Sequence, residues 1–123
     1  MSRRVLVVDD DDGVREIIQL SLETVAGWQV LMASSGQEGI AIAMAEKPDL
    51  ILLDVMMPDQ DGIEVYKQLQ AEASTQTIPT ILLTAKAQTS ERKEFMEIGI
   101  VGIITKPFQA RALVEQIIQL LKW

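Results

Sequence analysis

The sequence predicts an α/β protein, five β-α units forming a parallel sheet with helices on both faces. Three observations carry this. Short runs of Val, Ile and Leu recur along the chain, stretches of helical periodicity separate them, and the length is 123 residues. Runs that are continuous rather than alternating suit strands buried on both faces. Repeated β-α alternation calls for right-handed crossovers. A chain of this length buries about two thirds of its unfolded surface without covalent staples, so residues 1–123 are expected to form one domain.

The first run is Val5-Leu6-Val7-Val8, followed directly by Asp9, Asp10, Asp11 and Asp12. Beyond it Val14, Ile17, Ile18, Ser21, Leu22 and Val25 recur at spacings of three and four. The Asp11/Asp12 pair supplies an N-cap for that helix and Gly27 a stop. A weaker run at residues 28–33 forms the second strand, and an Ala-, Ile- and Met-rich helix over residues 36–47 ends before Pro48. Residues 50–53 form the third strand. A helix from about Gly62 to Ala73 follows, with Ile63, Tyr66 and Leu69 on one side. Residues 81–83 form the fourth strand, and a sparsely anchored fourth helix covers about residues 90–98, held by Phe95 and Ile98. Residues 103–104 form the fifth strand. The last helix, residues 110–121, shows a wide apolar face of Leu113, Val114, Ile117, Ile118 and Leu121. Trp28 reads as core or rim packing, and Trp123 as a terminal contact.

Composition excludes whole classes of chemistry. The chain has no cysteine and no histidine. It therefore cannot form a disulfide, a zinc finger, a thiol nucleophile or a Ser-His-Asp triad. Any metal site must use oxygen ligands, which favours Mg²⁺ or Ca²⁺. Eighteen acids against eleven basic residues, a net charge of −7, argue against nucleic-acid binding. Met1-Ser2-Arg3-Arg4 is basic, but the apolar run behind it is shorter than the roughly 7–15 residues a signal peptide needs. No stretch approaches the ~20 apolar residues of a membrane span, so a cytoplasmic protein with no membrane partner is expected.

In open α/β sheets, sites lie beyond the carboxyl ends of the strands. The first strand delivers Asp9 and Asp10, the third Asp54, the fourth Thr84 and then Ala85, and the fifth Thr105, Lys106 and Pro107. Carboxylates gathered there repel one another, by about 4 kcal/mol for two charges 4 Å apart at an effective dielectric near 20. They must take up protons, pair with a cation or bind metal. The three aspartates and Lys106 sum to −2, which a divalent cation neutralises, and without His or Cys the natural candidate is Mg²⁺. Such a cation can neutralise an incoming phosphoryl group while Lys106 and the Thr84 hydroxyl bind its oxygens. A carboxylate can then act as nucleophile and give an acyl phosphate. Asp54, at the centre of the predicted sheet, is best placed for that.

Val7-Val8-Asp9-Asp10, the run from Asp54 through Met56, Met57, Pro58 and Asp61 to Gly62, Leu83-Thr84-Ala85 and Lys106-Pro107-Phe108 occur in order along the chain. Together they resemble the receiver domain of two-component response regulators over essentially its whole length. The resemblance implies a flavodoxin-like sheet of order 2-1-3-4-5 and a phosphoryl group accepted on Asp54 from a sensor histidine kinase or histidine phosphotransfer protein. It implies Mg²⁺, with Mn²⁺ as a substitute, held by Asp10, Asp54 and the Met56 backbone carbonyl, with Asp9 acting mainly through water. Lys106 would pair with Asp54 or its phosphoryl group. Thr84 and the Ala85 backbone would bind that group, and Thr84 would move to repack the region of the fourth strand and helix. The Lys106–Pro107 bond is similar to one that is cis in the family.

The chain departs from the family in two respects. Tyr or Phe often stands three residues before the site lysine as a rotating switch, and here Ile103 stands there, unable to make that swing. Met56 and Lys86 lie two residues beyond Asp54 and Thr84, at positions that influence dephosphorylation, so an altered phosphoryl lifetime is expected. Other readings are weaker. Asp11 and Asp12 read as a solvated cap. Asp59-Gln60-Asp61-Gly62 lacks the acid an EF-hand needs at its first position, where Met57 stands. No Gly-Lys-Ser/Thr loop accompanies the acid of the third strand, so an ATPase is excluded.

The sequence thus points to a phosphoacceptor switch. It would catalyse its own phosphorylation and slow dephosphorylation without turning over free substrates. Its output would pass through the face of the fourth helix, fifth strand and fifth helix to a downstream protein, with a homodimer left open. The alternative, motivated by Ile103, is a phosphorylation-independent docking module that keeps the fold. Ending at the fifth helix, the chain reads either as a stand-alone receiver or as one excised from a longer protein.

Overall fold

The computed structural model describes residues 3–57, 61–85 and 95–123. The readings placed on Pro58, Asp59, Gln60, Lys86 and the first part of the fourth predicted helix lie outside the described residues. Five strands, β1 (Arg4–Val8), β2 (Gln29–Ala33), β3 (Leu50–Asp54), β4 (Thr80–Thr84) and β5 (Gly102–Thr105), form one parallel sheet in the order β2-β1-β3-β4-β5. The central strands are apolar on both sides because helices cover both faces. Val5, Leu6, Val7, Leu50, Ile51, Leu52 and Leu53 are each fully buried.

Successive side chains of a strand point to opposite faces, so each run feeds two cores. On one face Val5, Val7, Leu50, Leu52, Ile81, Leu83 and Ile104 pack with Ile18, Leu22, Leu113 and Ile117. These last come from α1 (Asp12–Ser21), the turn that continues it at Leu22, and the C-terminal helix (Ala110–Leu121). On the other face Leu6, Val8, Ile51, Leu53, Leu82 and Ile103 pack with Ala43, Val65, Tyr66 and Leu69. Those belong to α2 (Gly36–Glu46) and α3 (Gly62–Ala71). Each large aliphatic side chain buried this way contributes about 1.5–3 kcal/mol, which makes these two layers the main source of stability.

Side-chain caps start three of the helices. The Asp11, Ser35 and Asp61 side chains accept from the backbone N–H of Val14, Glu38 and Ile63, at 3.2, 3.2 and 2.8 Å. Each satisfies a donor that the first helical turn leaves without a partner. Behind α1 the chain widens into a π-helical turn over Leu22–Ala26, closed by Gly27 at φ 71°, a left-handed conformation that glycine adopts without steric penalty. The Trp28 N–H then donates to the Leu22 carbonyl at 3.1 Å.

That turn corrects the expected face of α1. A strict 3.6-residue period places Val25 inward, but the wider turn rotates it out, and it is 44% exposed. Ile17, also expected inward, is 55% exposed, because the buried stripe is confined to Ile18, Ser21 and Leu22. Ile118 and Ile98 are likewise exposed, so the last helix buries the narrower stripe Leu113, Val114 and Ile117. Residues 95–97 are helical, and Ile100 rather than Ile98 enters the core beside partly buried Phe95. The third helix ends at Ala71, two residues short of the expected Ala73. The Thr75 hydroxyl donates to the Leu69 carbonyl at 2.6 Å and closes the helix end.

At the amino end of the sheet the two tryptophans meet edge to face, with ring centroids 5.1 Å apart, and the Arg3 guanidinium lies 4.4 Å from the Trp123 ring centroid. Arg4 donates to the Glu46 carbonyl at 2.7 Å and pairs with its carboxylate at 2.9 Å, tying the end of α2 to the start of β1. Among the described residues, no helix is long and apolar enough to cross a membrane.

Candidate functional site

Because all five strands run the same way, whatever follows each of them collects at one edge. β1 ends at Val8 and β3 at Asp54, and the two are adjacent in the sheet. The carboxylates of Asp9, Asp10 and Asp54 consequently come together, each with an oxygen within 4.8 Å of the others. Asp9 and Asp54 are buried and Asp10 is exposed, so the cluster has two enclosed walls and an open mouth.

Lys106 enters from the end of β5. Its Nζ donates to Asp9 Oδ2 at 2.8 Å and to Asp54 Oδ1 at 3.3 Å. The lysine thus bridges both buried acids and sits closer to Asp9 than to Asp54, a preference for which the sequence offers no sign. Its backbone N–H donates to the Thr84 carbonyl at 2.8 Å, and the Lys106–Pro107 peptide is cis. Asp9 Oδ1 accepts from the Asp11 N–H at 2.9 Å, and Asp54 Oδ1 from the Met56 N–H at 3.4 Å.

The electrostatics reveal an acid surplus. Burial, then the neighbouring Asp9 charge, pushes the Asp54 carboxyl above its ordinary range, and the pull of Lys106 does not cancel them. For Lys106 burial works downward, but the hydrogen bond to Asp9 and the charges of Asp54 and Asp9 together outweigh it and raise the ammonium. One lysine does not balance three carboxylates. An all-oxygen donor set with a net charge of −2, enclosed on two sides and open at Asp10, fits a small hard dication that keeps part of its water shell.

The other predicted residues take distinct places. Thr84 closes β4, is buried, and stands in register with Thr105. Because Leu83 is in register with Asp54, Thr84 lies one residue beyond it on the neighbouring strand. Ala85 is exposed at the same edge. The Met56 side chain is 71% exposed, leaving its backbone as the part available to the site. Ile103 is paired with Leu82 inside the sheet and belongs to the core of the α2/α3 face, away from the acids.

Two features escape the sequence reading. Gly62 brings the first turn of α3 against β3, and a Cβ there would stand 2.3 Å from the Asp54 carbonyl oxygen. Arg15 folds back from α1, donating to the Asp9 carbonyl at 2.6 Å and pairing with Asp12. Its position three residues after Asp12, on a face shared with that acid, was the available signal.

A parallel sheet of order 2-1-3-4-5 whose carboxyl edge carries an aspartate trio and a lysine defines a flavodoxin-like α/β protein with its chemistry on the strand ends. The model of the response regulator receiver domain matches residues 5–118. The phosphate regulon transcriptional regulatory protein PhoB of Pseudomonas aeruginosa is 40% identical over 117 residues, covering 95% of this chain and 51% of that protein. The alkaline phosphatase synthesis transcriptional regulatory protein PhoP of Bacillus subtilis is 42% identical over 111 residues, covering 90% and 45%. Among solved structures, the chemotaxis response regulator CheY4 of Vibrio cholerae superposes with a TM-score of 0.90 at 28% identity, covering 98% of this chain and 99% of that one. The receiver domain of the Francisella response regulator 1452 gives 0.87 at 30% identity, covering 98% of each.

The chain belongs to the response regulator receiver domain family of two-component systems. It carries the acidic aspartate cluster at which receiver domains bind Mg²⁺. It spans about half the length of the transcriptional regulators it matches.

Proposed function

We propose that this receiver takes a phosphoryl group onto Asp54 from a phosphohistidine of a sensor histidine kinase or histidine phosphotransfer protein, in the cytoplasm. The observation that supports it most is the convergence of Asp9, Asp10 and Asp54 with Lys106 bridging the two buried acids. A carboxylate oxygen of Asp54 attacks phosphorus, an O–P bond forms as the N–P bond to the donor imidazole breaks, and the departing nitrogen takes up a proton from solvent. Lys106 already spans Asp9 and Asp54 and needs only to follow the new oxygens to hold the phosphoryl group. Thr84, one residue beyond Asp54 on the next strand, and the Ala85 backbone complete the cradle.

Mg²⁺, or Mn²⁺ in its place, would be held by Asp10, Asp54 and the Met56 carbonyl, with Asp9 through water, and supplies positive charge for the phosphoryl oxygens. Replacing the single charge of Asp54 by a phosphoryl group of about −2 adds negative charge that Lys106 and Thr84 must meet. Drawing Thr84 inward transmits the change to the face of the fourth helix, β5 and the C-terminal helix, where a downstream protein, or a second copy in a homodimer, reads it. A phosphorylation-independent docking module would rest on Ile103 alone, and that side chain packs in the core of the α2/α3 face, while the clustered Asp9, Asp10 and Asp54 support the phosphoacceptor reading.

Incubation with Mg²⁺ and a small phosphodonor such as acetyl phosphate should add one phosphoryl mass to the intact protein, and Asp54→Ala should abolish the addition. No added mass in the wild-type protein with Mg²⁺ present would refute the assignment.

A further inference from the structure

Arg15 has no part in the reaction just described, yet it makes an ordered two-pronged contact at the rim of the acidic cluster. Its side chain leans toward the amino end of α1, as helical side chains do, and is only 14% exposed. One guanidinium nitrogen donates to the Asp9 carbonyl at 2.6 Å, and the other pairs with the Asp12 carboxylate. The Asp9 carbonyl belongs to the peptide unit that joins Asp9 to Asp10. Because a peptide unit is planar, holding its oxygen sets the plane from which Asp10 departs.

The residue on the amino side of that unit is already restrained. The Asp9 N–H donates to the Ala33 carbonyl at 3.1 Å, and the Asp9 carboxylate is held by Lys106 and the Asp11 N–H. Asp10, in contrast, is exposed, so the direction of its carboxylate rests on the backbone beneath it.

We propose that Arg15 is a positioning residue whose guanidinium fork clamps the Asp9 carbonyl against Asp12 and thereby aims the Asp10 carboxylate at the cation. The inference rests on the metal-dependent reading of the site given above. It assigns to Arg15 the geometry of two parallel donors and not merely a positive charge. Lysine, a point charge on a flexible stem, cannot supply that fork.

Calorimetric titration of the purified wild-type and variant proteins with Mg²⁺ tests this. Arg15→Met should weaken Mg²⁺ binding about tenfold, the lower end of what losing a partner behind a metal ligand costs. Arg15→Lys should weaken it to a similar degree, since charge without the fork does not rescue. In labelling by acetyl phosphate, the half-saturating Mg²⁺ concentration should rise in both variants while the rate at saturating Mg²⁺ stays near wild type. Asp12→Asn, which frees one arm of the fork, should weaken binding more than Asp11→Asn, which removes the same charge one residue away. That pair decides the matter if Arg15→Met fails to fold. An Arg15→Met affinity equal to wild type, full rescue by Arg15→Lys, or equal effects of the two Asn variants would overturn the proposal while leaving the functional reading intact. A wild-type protein that does not bind Mg²⁺ would remove the functional reading and this inference together.

Discussion

Asp54 is caught between a like charge and an opposite one in a place that water barely reaches. Its carboxyl holds a proton more tightly in the folded chain than in the unfolded chain, whose ordinary value is 3.8. Between that value and the raised folded one, the native state carries more protons than the unfolded state, so stability falls as pH rises through this window. Asp54→Asn should therefore raise the melting temperature of the metal-free protein near pH 7 by a few degrees, with the gain vanishing below about pH 4. Calorimetry in a chelator across this pH range checks it, and an unchanged or lowered melting temperature near pH 7 would contradict it. Mg²⁺ should also stabilise the wild-type protein, since a ligand at about 100 times its dissociation constant adds about 2.7 kcal/mol. At this scale much of the cluster was legible. Asp9, Asp10, Asp54 and Lys106 each follow a short apolar run, and a parallel sheet sends all such residues to one edge. The closer approach of Lys106 to Asp9 depends on side-chain directions that spacing does not encode, and so does the Arg15 contact with the Asp9 carbonyl, whereas its pairing with Asp12 follows from the i,i+3 spacing.

The elements hold the site by close backbone approach and by burial. Gly62 opens α3 directly above the Asp54 carbonyl, where an added Cβ would also stand 2.9 Å from the Val55 Cα. Both neighbours are backbone and cannot turn aside. Gly62→Ala should cost about 1–3 kcal/mol, and because α3 must lift from β3 it should also slow labelling of Asp54. Denaturant melts and intact-mass time courses report the two effects, and a variant matching wild type in both would show that α3 yields freely. At the far end of β4 the Thr80 hydroxyl is buried with no hydrogen-bond partner among the described residues. Thr80→Val, which keeps the shape and removes the stranded group, should stabilise the protein by about 1 kcal/mol, read from the midpoint of urea unfolding. A destabilised variant would mean that the hydroxyl finds a partner in solution. Element type was legible because continuous apolar runs and 3.6-residue periods differ sharply. Element faces were less so. The π-helical turn at Leu22–Ala26 shifts Val25 outward, and no residue preference announces such a turn. The α2 cap was equally quiet, since Ser35 lies in a short polar connection with little to single it out.

Across the whole molecule, the alternation of strands and helices was enough to predict a parallel sheet but not the order of its strands. Any arrangement of right-handed crossovers satisfies the periodicity. The order 2-1-3-4-5 was legible only through the motif resemblance, and it is what brings β1 and β3 side by side so that their aspartates meet. The same architecture separates the two ends of the sheet by task. The carboxyl edge gathers charge, and the amino edge is fastened by Arg4 on Glu46 and by the contact of Trp28, Trp123 and Arg3. That last contact brings Arg3 and Trp123 together on the side away from the acids, so that the stretch between them is nearly a closed ring. Where the ring is opened then becomes a matter of convenience rather than of architecture. A circular permutant joining the two ends through a short Gly/Ser linker, with new ends between the exposed Ala73 and Ser74, should regain the native circular dichroism spectrum and accept a phosphoryl group on Asp54. A permutant that folds but cannot be labelled would show that the acidic edge senses where the chain is cut. One that does not fold would show that β1 must be held by a free leading end.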